Sequence, residues 1–158
     1  MPVAEFAISD PQLVADGTFD REALRAYLAR AEELGFTGAW VTEQVVGSAP
    51  NLDSNVLLAL CAAYTDRIRL GCAVYVSTLA SPLHLAKTIA TLDQVSGGRL
   101  DVGLGAGGGF RAFGAYGMDR EAFIRLAGGR CEAEPGTVAV DGDEDLGQRI
   151  LEAMATTP

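Results

Sequence analysis

Glycine is concentrated in one stretch of this chain, directly after a short apolar run. The stretch SGGRLDVGLGAGGGFRAFGAYG places Gly103, Gly105 and Gly108 in the spacing G-x-G-x-x-G. Glycine costs backbone entropy, but it lets backbone N–H groups approach a bound molecule closely. Three interpretations are open: a dinucleotide-binding fingerprint, a turn without a ligand, and a loop against a phosphate or a flat ring. The fingerprint is disfavoured because the residues that follow, GFRAFGAYG, do not predict a helix.

Two other residues are candidates for acid–base chemistry. Glu43 follows an apolar run, at a position where the side chains of strand ends point into the site of many α/β proteins. It is the candidate catalytic residue, although an ion pair would explain an acid there equally well. His84, the only histidine, falls in the first turn of a predicted helix and is expected to lie at the surface or pack against that helix.

No metal site is predicted. The acids from Asp141 to Asp145 have the spacing that begins a calcium-binding loop, and Glu152 stands at its twelfth position. Leu146, however, occupies the place where that loop needs a glycine for its sharp turn. The start of a capped helix explains the same acids.

Strand-like and helix-like patterns alternate along the first two thirds of the chain. Apolar runs predict strands at residues 3–8, 38–44, 68–76 and 99–105, and helical patterns occupy residues 20–36, 52–66 and 81–98. Such alternation with short connections is typical of a parallel sheet with right-handed crossovers. An open doubly wound sheet and a (β/α)8 barrel, or a piece of one, both fit this order. Later in the chain, TVAV could add one strand, and a final helix is predicted from Asp143.

Three segments carry a resemblance to a known family: EELGFTGAWVTEQ, DRIRLGCAVYVSTLASPLHLAKTIATLDQVSGGRLDVGLGAGG and FGAYGMDREAF. Together they resemble the bacterial luciferase-like monooxygenases, a family that includes coenzyme F420-dependent oxidoreductases. The resemblance implies a (β/α)8 barrel with FMN or F420 at the carboxyl ends of its strands. It also implies a non-proline cis peptide at Ala73–Val74, behind the cofactor ring.

The site residues come from strand ends and from the resemblance. Glu43 is the catalytic candidate because of its place at a strand end, and Ser77 and Thr78, which follow the third strand, could donate hydrogen bonds to a cofactor. The resemblance implies that the cofactor also lies against Ala73, Val74 and the loop residues Gly105, Ala106, Gly107 and Gly108. Many family members have one or two histidines directly after the acid that ends the second strand. Here Gln44 and Val45 stand at those positions.

The predicted fold is therefore α/β, with parallel β/α units that form about the first four of the eight units of a TIM barrel. Residues 1–118 are predicted to form this partial barrel, and residues 119–158 a helical tail of the same domain. The predicted function is that of a flavin- or F420-dependent oxidoreductase or monooxygenase. The alternative is a truncated, non-catalytic paralogue that binds flavin weakly or acts only by assembling with a partner chain.

Composition and charge limit the classes of partner that the protein is expected to bind. The net charge is −9 over 158 residues and no basic block is present, which argues against nucleic acid and anionic membrane as partners. No apolar run approaches the roughly 20 residues that span a bilayer, and no signal peptide is visible. Three cysteines without a C-x-x-C spacing favour the cytoplasm. The expected partners are a small-molecule substrate and a flavin or deazaflavin.

A half-barrel also predicts self-association. Strands at Val3–Ile8 and Leu100–Leu104 would leave unpaired backbone at the two edges of the sheet. The C-terminal segment could shield part of this surface, with TVAV as an added strand and the helix from Asp143 to Met154 over one face. Residues expected to point into the barrel, namely Trp40, Val74 and Val102, would lack the layers that normally cover them. A homo-oligomer is the expected state.

Overall fold

The computed structural model describes residues 5–14, 17–44 and 50–105, together with the backbone of residues 138–140. Within these ranges strands and helices alternate in the predicted order. They are β1 (Ala7–Ser9), α1 (Arg21–Glu33), β2 (Gly38–Val41), α2 (Ser54–Tyr64), β3 (Arg69–Val76), α3 (Pro82–Ser96), β4 (Leu100–Gly105) and β5 (Val138–Val140). A single 3-10 turn, Ser77–Leu79, joins β3 to α3.

Local signals in the sequence set the ends of the helices. The carboxylate of Asp20 accepts the N–H of Ala23 at 2.9 Å, and that of Asp53 accepts the N–H of Val56 at 3.0 Å. Pro82 occupies the first turn of α3, and Gly97 follows that helix with a φ of 72°. Within the described ranges, no helix is both long and apolar enough to cross a lipid bilayer.

The first four strands are parallel and lie side by side in chain order, β1-β2-β3-β4. A doubly wound sheet reverses its strand order part-way, whereas a barrel does not. The described residues therefore follow the barrel arrangement. The core lies between the sheet and the three helices, and its fully buried members include Leu28, Leu58, Ile89, Leu70 and Leu100. Burial of these aliphatic side chains is the main stabilising contribution.

Gln12 explains why β2 ends earlier than predicted. Its side-chain amide accepts the N–H of Thr42 at 3.0 Å and donates to the carbonyl of the same residue at 2.7 Å. The backbone of Thr42 is thus engaged by a side chain instead of a neighbouring strand. The same amide donates to the carbonyl of Leu52 at 3.0 Å and so joins the loops that follow β1 and β2.

Two charged side chains organise the turn from α2 to β3. The guanidinium of Arg99, from the SGGR motif, donates to the carbonyls of Ala62, Thr65, Ile68 and Ser96 at 2.6–3.2 Å. It thereby satisfies carbonyls at the end of α2 that lack helical partners. On the opposite side, one carboxylate oxygen of Glu32 accepts the three consecutive backbone N–H groups of residues 66–68 at 2.8–3.2 Å.

The last three residues of the TVAV segment form a strand, because residues 138–140 pair antiparallel with β4. Val138 lies opposite Leu104, and Val140 lies opposite Val102. The prediction of an unpaired edge on the fourth strand is therefore wrong over this stretch. Tertiary pairing with a segment more than 30 residues away could not be inferred from the strand's own sequence.

Val102 also differs from its predicted position. It is 2% exposed and belongs to the core between the sheet and the helices. Its neighbour Gly103 faces Val74 on the other side of the sheet. Because side chains alternate along a strand, an assignment that is wrong by one residue reverses the face.

Candidate functional site

The carboxyl ends of β2, β3 and β4 bring several of the predicted site residues together. Glu43 lies two residues beyond β2, Ser77 directly after β3, and Gly105 is the last residue of β4. The hydroxyl of Ser77 donates to the carbonyl of Gly105 at 3.1 Å. Thr78 follows in the same 3-10 turn. The predicted residues Ala106, Gly107 and Gly108 lie outside the described part of the chain.

β3 is irregular where it approaches this edge. Cys72 pairs with Val102, but the next pair joins Tyr75 to Leu104, so the register shifts between them. Two residues of β3, Ala73 and Val74, stand where β4 has one. The peptide bond between Ala73 and Val74 is cis, which confirms the expectation from the resemblance.

Val74 lies directly over two glycines of β4. A Cβ atom built on Gly105 would be 2.6 Å from Cγ2 of Val74, and one built on Gly103 would be 2.8 Å from Cγ1. Both distances are below any normal contact, so a side chain at either position would displace Val74. The first two glycines of the run therefore make room for a side chain of the neighbouring strand.

The indole of Trp40, in β2, lies on the same face of the sheet as Val74. A Cβ atom on Gly71 would lie 2.5 Å from the indole, and one on Gly38 would lie 2.8 Å from its Nε1. The ring thus spans from its own strand to the next. Trp40 and Val74 both remain half-buried, since this face has no helix packed on it in the described residues.

Glu43 accepts a hydrogen bond from the backbone N–H of Val76. Burial raises the pKa of the Glu43 carboxyl, the Val76 N–H lowers it, and the nearby charge of Asp53 raises it again. The net shift is upward. Burial also raises the pKa of the Cys72 thiol to about 12, and the charge of Glu43 adds to that shift.

Tyr75 holds β3 from the helix side. It is fully buried, and its hydroxyl donates to the side-chain carbonyl of Asn55 in α2 at 3.0 Å. Burial, followed by the charges of Cys72, Glu43 and Asp53, raises the pKa of Tyr75. Tyr75 is therefore a neutral, hydrogen-bonded packing residue of the core.

The family model for luciferase-like monooxygenases matches residues 4–128. The chain belongs to this family. The resemblance in the sequence segments is thereby confirmed over most of the chain.

Individual luciferase-like proteins support the same assignment. The chain is 36% identical over 89 residues to a 5,10-methylenetetrahydromethanopterin reductase of Methanopyrus kandleri. The matched segment covers 56% of this chain and 24% of that protein. The solved coenzyme F420-dependent tetrahydromethanopterin reductase of the same organism matches with a TM-score of 0.58 and 29% identity, over 94% of this chain and 39% of that one.

The FMN complex of the oxygenating constituent of 3,6-diketocamphane monooxygenase from Pseudomonas putida matches with a TM-score of 0.65. Its identity is 19%, over 96% of this chain and 39% of that one, so this likeness supports the fold alone. These neighbours are TIM-barrel enzymes, which confirms the predicted fold class. The chain spans 20–32% of the length of its curated relatives, and 36–49% of the solved chains.

Two features of this luciferase-like chain were not identified from its sequence. Arg69 and Asp101 form an ion pair between β3 and β4, with Nε–O distances of 2.9 and 3.0 Å. Asp10 is 4% exposed, and its Oδ1 atom has no hydrogen-bond partner among the described residues. The sequence does indicate weakly that Arg69 and Asp101 lie on the same face of the sheet, because each stands between apolar residues that face the helices.

The remaining candidates contribute little to the site as described. His84 is exposed in the first turn of α3, as expected. Within the described ranges, no cluster of three or more His, Cys, Asp or Glu side chains could hold a metal ion. The acidic run from Asp141 to Glu152 lies outside those ranges.

Proposed function

We propose that the chain binds FMN or F420 at the carboxyl ends of β2–β4 and belongs to a flavin- or deazaflavin-dependent oxidoreductase or monooxygenase. One observation carries this proposal. Val74 packs on Gly103 and Gly105 and is a half-buried apolar side chain at the irregular part of β3. A flat ring needs an apolar wall of this kind with polar groups at its rim. The coenzyme F420 dependence of the Methanopyrus kandleri reductase supports F420 as the ligand, and the membership of the luciferase-like family supports FMN as the other choice.

The described residues fit such a cofactor. Val74 and the exposed Ala73 would support one face of the ring, and Ser77 and Thr78 would supply hydroxyl groups at the rim. From the sequence alone, the backbone N–H groups of the glycine loop, Gly105 to Gly108, are proposed to approach the ring or the phosphate-bearing tail. When bound, the cofactor would supply the hydride or oxygen chemistry, and the protein would supply binding and orientation.

Glu43 is the proposed catalytic residue. Its raised pKa brings the carboxyl closer to the range in which it could exchange a proton with a substrate. Because Gln44 replaces the histidine found in many relatives, no imidazole follows this acid to share the task. The substrate is proposed to be a small molecule.

A second candidate is a chain that binds flavin weakly without turnover, or acts only with a partner chain. One observation favours it: the carboxylate of Glu43 is already engaged by the amide of Val76. A group that serves as a structural acceptor is less available for proton transfer. The two candidates predict the same binding but different turnover.

The first experiment is a titration of the purified protein with FMN and, separately, with F420, followed by fluorescence. We expect one of the two to bind, and its reduction or reoxidation to be catalysed if the enzyme proposal is correct. Gly107→Val should abolish binding and retain the fold, because a branched side chain would fill space needed by the ring or phosphate. Absence of binding for both cofactors would refute the proposal, whereas binding without turnover would favour the second candidate.

The organisation of the chain is part of the proposal. Residues 1–118 would form the partial barrel and residues 119–158 a tail of the same domain. A cytoplasmic location is supported by Cys61 and Cys72, which are buried with free thiols.

A homo-oligomer is proposed as well. In the described residues β1 is the outer strand of the sheet, and Trp40 and Val74 remain half-buried on its uncovered face. The hydroxyl of Tyr27 already donates to the carbonyl of Ser9 at 2.8 Å, which leaves fewer groups on β1 for another strand. Association through the uncovered face is therefore favoured over edge pairing. Light scattering across a dilution series tests it, and a monomer at micromolar concentration would contradict it.

A further inference from the structure

We infer that Glu43, besides the catalytic role proposed for it above, has a positioning role: it fixes the end of β3 beneath the proposed cofactor ring. The inference rests on the proposed function, and it assigns Glu43 a role through the backbone of β3. Its starting point is the hydrogen bond from the Val76 amide to the Glu43 carboxylate.

On the β2 side of β3, the amide of Val76 has no strand with which to pair. The last residue pair between β2 and β3 joins Val41 to Cys72, four residues before Val76. β2 has ended there because the side chain of Gln12 engages the backbone of Thr42. An amide without a partner in a half-buried position is costly, and the carboxylate of Glu43 removes that cost.

On its opposite side the end of β3 is held by β4. Pairing resumes at Tyr75–Leu104 and Val76–Gly105, and the Ser77 hydroxyl binds the carbonyl of Gly105. Toward the helices, the Tyr75 hydroxyl binds Asn55 of α2. The end of β3 is thus tied in three directions, and Glu43 supplies the only one of these ties that comes from the β2 side.

These ties lie immediately after the irregular residues Ala73 and Val74. Val74 is the side chain that packs on the glycines of β4. If the hydrogen bond to Val76 is lost, the irregular segment is no longer held from the β2 side, and we expect Val74 to lose its defined position. The role requires an acceptor atom at position 43, but it does not require a negative charge or a transferable proton.

That requirement separates a positioning role from a catalytic one. Glu43→Gln keeps a carbonyl oxygen that can accept the amide, while Glu43→Ala removes it. Hydrogen exchange of the Val76 amide, measured by NMR, reports the tie without any cofactor. Fluorescence titration with FMN and with F420 reports the consequence for binding. Glu22→Ala serves as the control, since Glu22 is an exposed acid on α1.

We expect the Val76 amide to exchange about tenfold faster in Glu43→Ala, with the Leu70 amide unchanged as an internal reference. Glu43→Gln should stay within about twofold of the wild type in exchange and in cofactor affinity, and Glu43→Ala should bind about tenfold more weakly. Unchanged exchange in Glu43→Ala, or equal loss of affinity in both variants, would overturn the inference. If the wild type binds neither cofactor while exchange still responds, the tie stands and the proposed function fails.

Discussion

Val74 occupies the space in which a side chain at position 105 would lie, with its Cγ2 atom 2.6 Å from an ideal Cβ built on Gly105. The relationship connects the irregular part of β3 to the glycine run that follows β4. It also gives part of the glycine run a structural cause within the sheet. A strand with ordinary side chains at positions 103 and 105 could not lie beside β3 in its observed form.

The first prediction follows from this contact. Gly105→Ala should destabilise the protein by about 1–3 kcal/mol, because the new methyl group overlaps Val74. Cofactor affinity should fall in parallel. The double variant Val74→Ala/Gly105→Ala should recover part of the stability, which a double-mutant cycle in urea would measure. Strictly additive effects of the two substitutions would contradict the contact.

Asp10 predicts an unusual dependence of stability on pH. Burial raises its pKa from 3.8 to about 6, and the Cys61 thiol 3.7 Å away lowers it only in part. Since the folded-state pKa is raised, the unfolded chain ionises first, and stability from this group is lost as pH rises from about 4 through 6. The full loss is about 3 kcal/mol.

The test compares urea unfolding of Asp10→Asn and wild type at several pH values between about 3 and 7. The variant cannot ionise, so its stability relative to the wild type should increase as pH rises through that window. Glu22→Gln, at an exposed position, is the matched control and should show little change. A constant difference between Asp10→Asn and wild type would show that Asp10 is not a buried titrating group.

Glu32 predicts a dependence of stability on pH that is opposite in sign to that of Asp10. Burial alone would raise its pKa, but the N–H groups of residues 66–68 and the charge of Arg67 outweigh it and lower the pKa. Its contribution is therefore present above the ordinary value of 4.5 and is lost as pH falls below it. Glu32→Ala should cost about 2 kcal/mol at neutral pH and less in acid. Equal cost at both pH values, measured by urea unfolding, would argue against the charge-assisted bonds.

Position 99 should not tolerate a substitution of arginine by lysine. The Arg99 guanidinium reaches four backbone carbonyls and also the Thr65 hydroxyl at 2.9 Å. A lysine ammonium has three donors and cannot match that arrangement. Arg99→Lys should lower the unfolding free energy by about 2 kcal/mol, whereas Arg67→Lys, at an exposed position, should change it by less than about 0.5 kcal/mol. Thermal unfolding of both variants provides the comparison.

The sequence by itself was sufficient wherever the cause of a structure is local. Asp20, Asp53, Pro82 and Gly97 act within one turn of their helices, so the helix ends could be predicted closely. The alternation of strands and helices predicted parallel pairing, because short crossovers leave few other arrangements. The family motifs predicted the cis peptide that the structure shows, and they led to the proposal of a site at the carboxyl ends of the strands.

Tertiary structure decided what depends on contacts between distant segments. The pairing of residues 138–140 with β4 covers an edge that was predicted to be open, and Val102 faces the helices because its register with β3 is set across strands. The amide of Val76 gives Glu43 a partner that no spacing in the chain reveals. Glycine is likewise needed at positions 103 and 105 because of the side chain of Val74, about 30 residues earlier in the chain. Steric contact and burial at such separations arise only when the strands have assembled, and a single sequence contains no local trace of them.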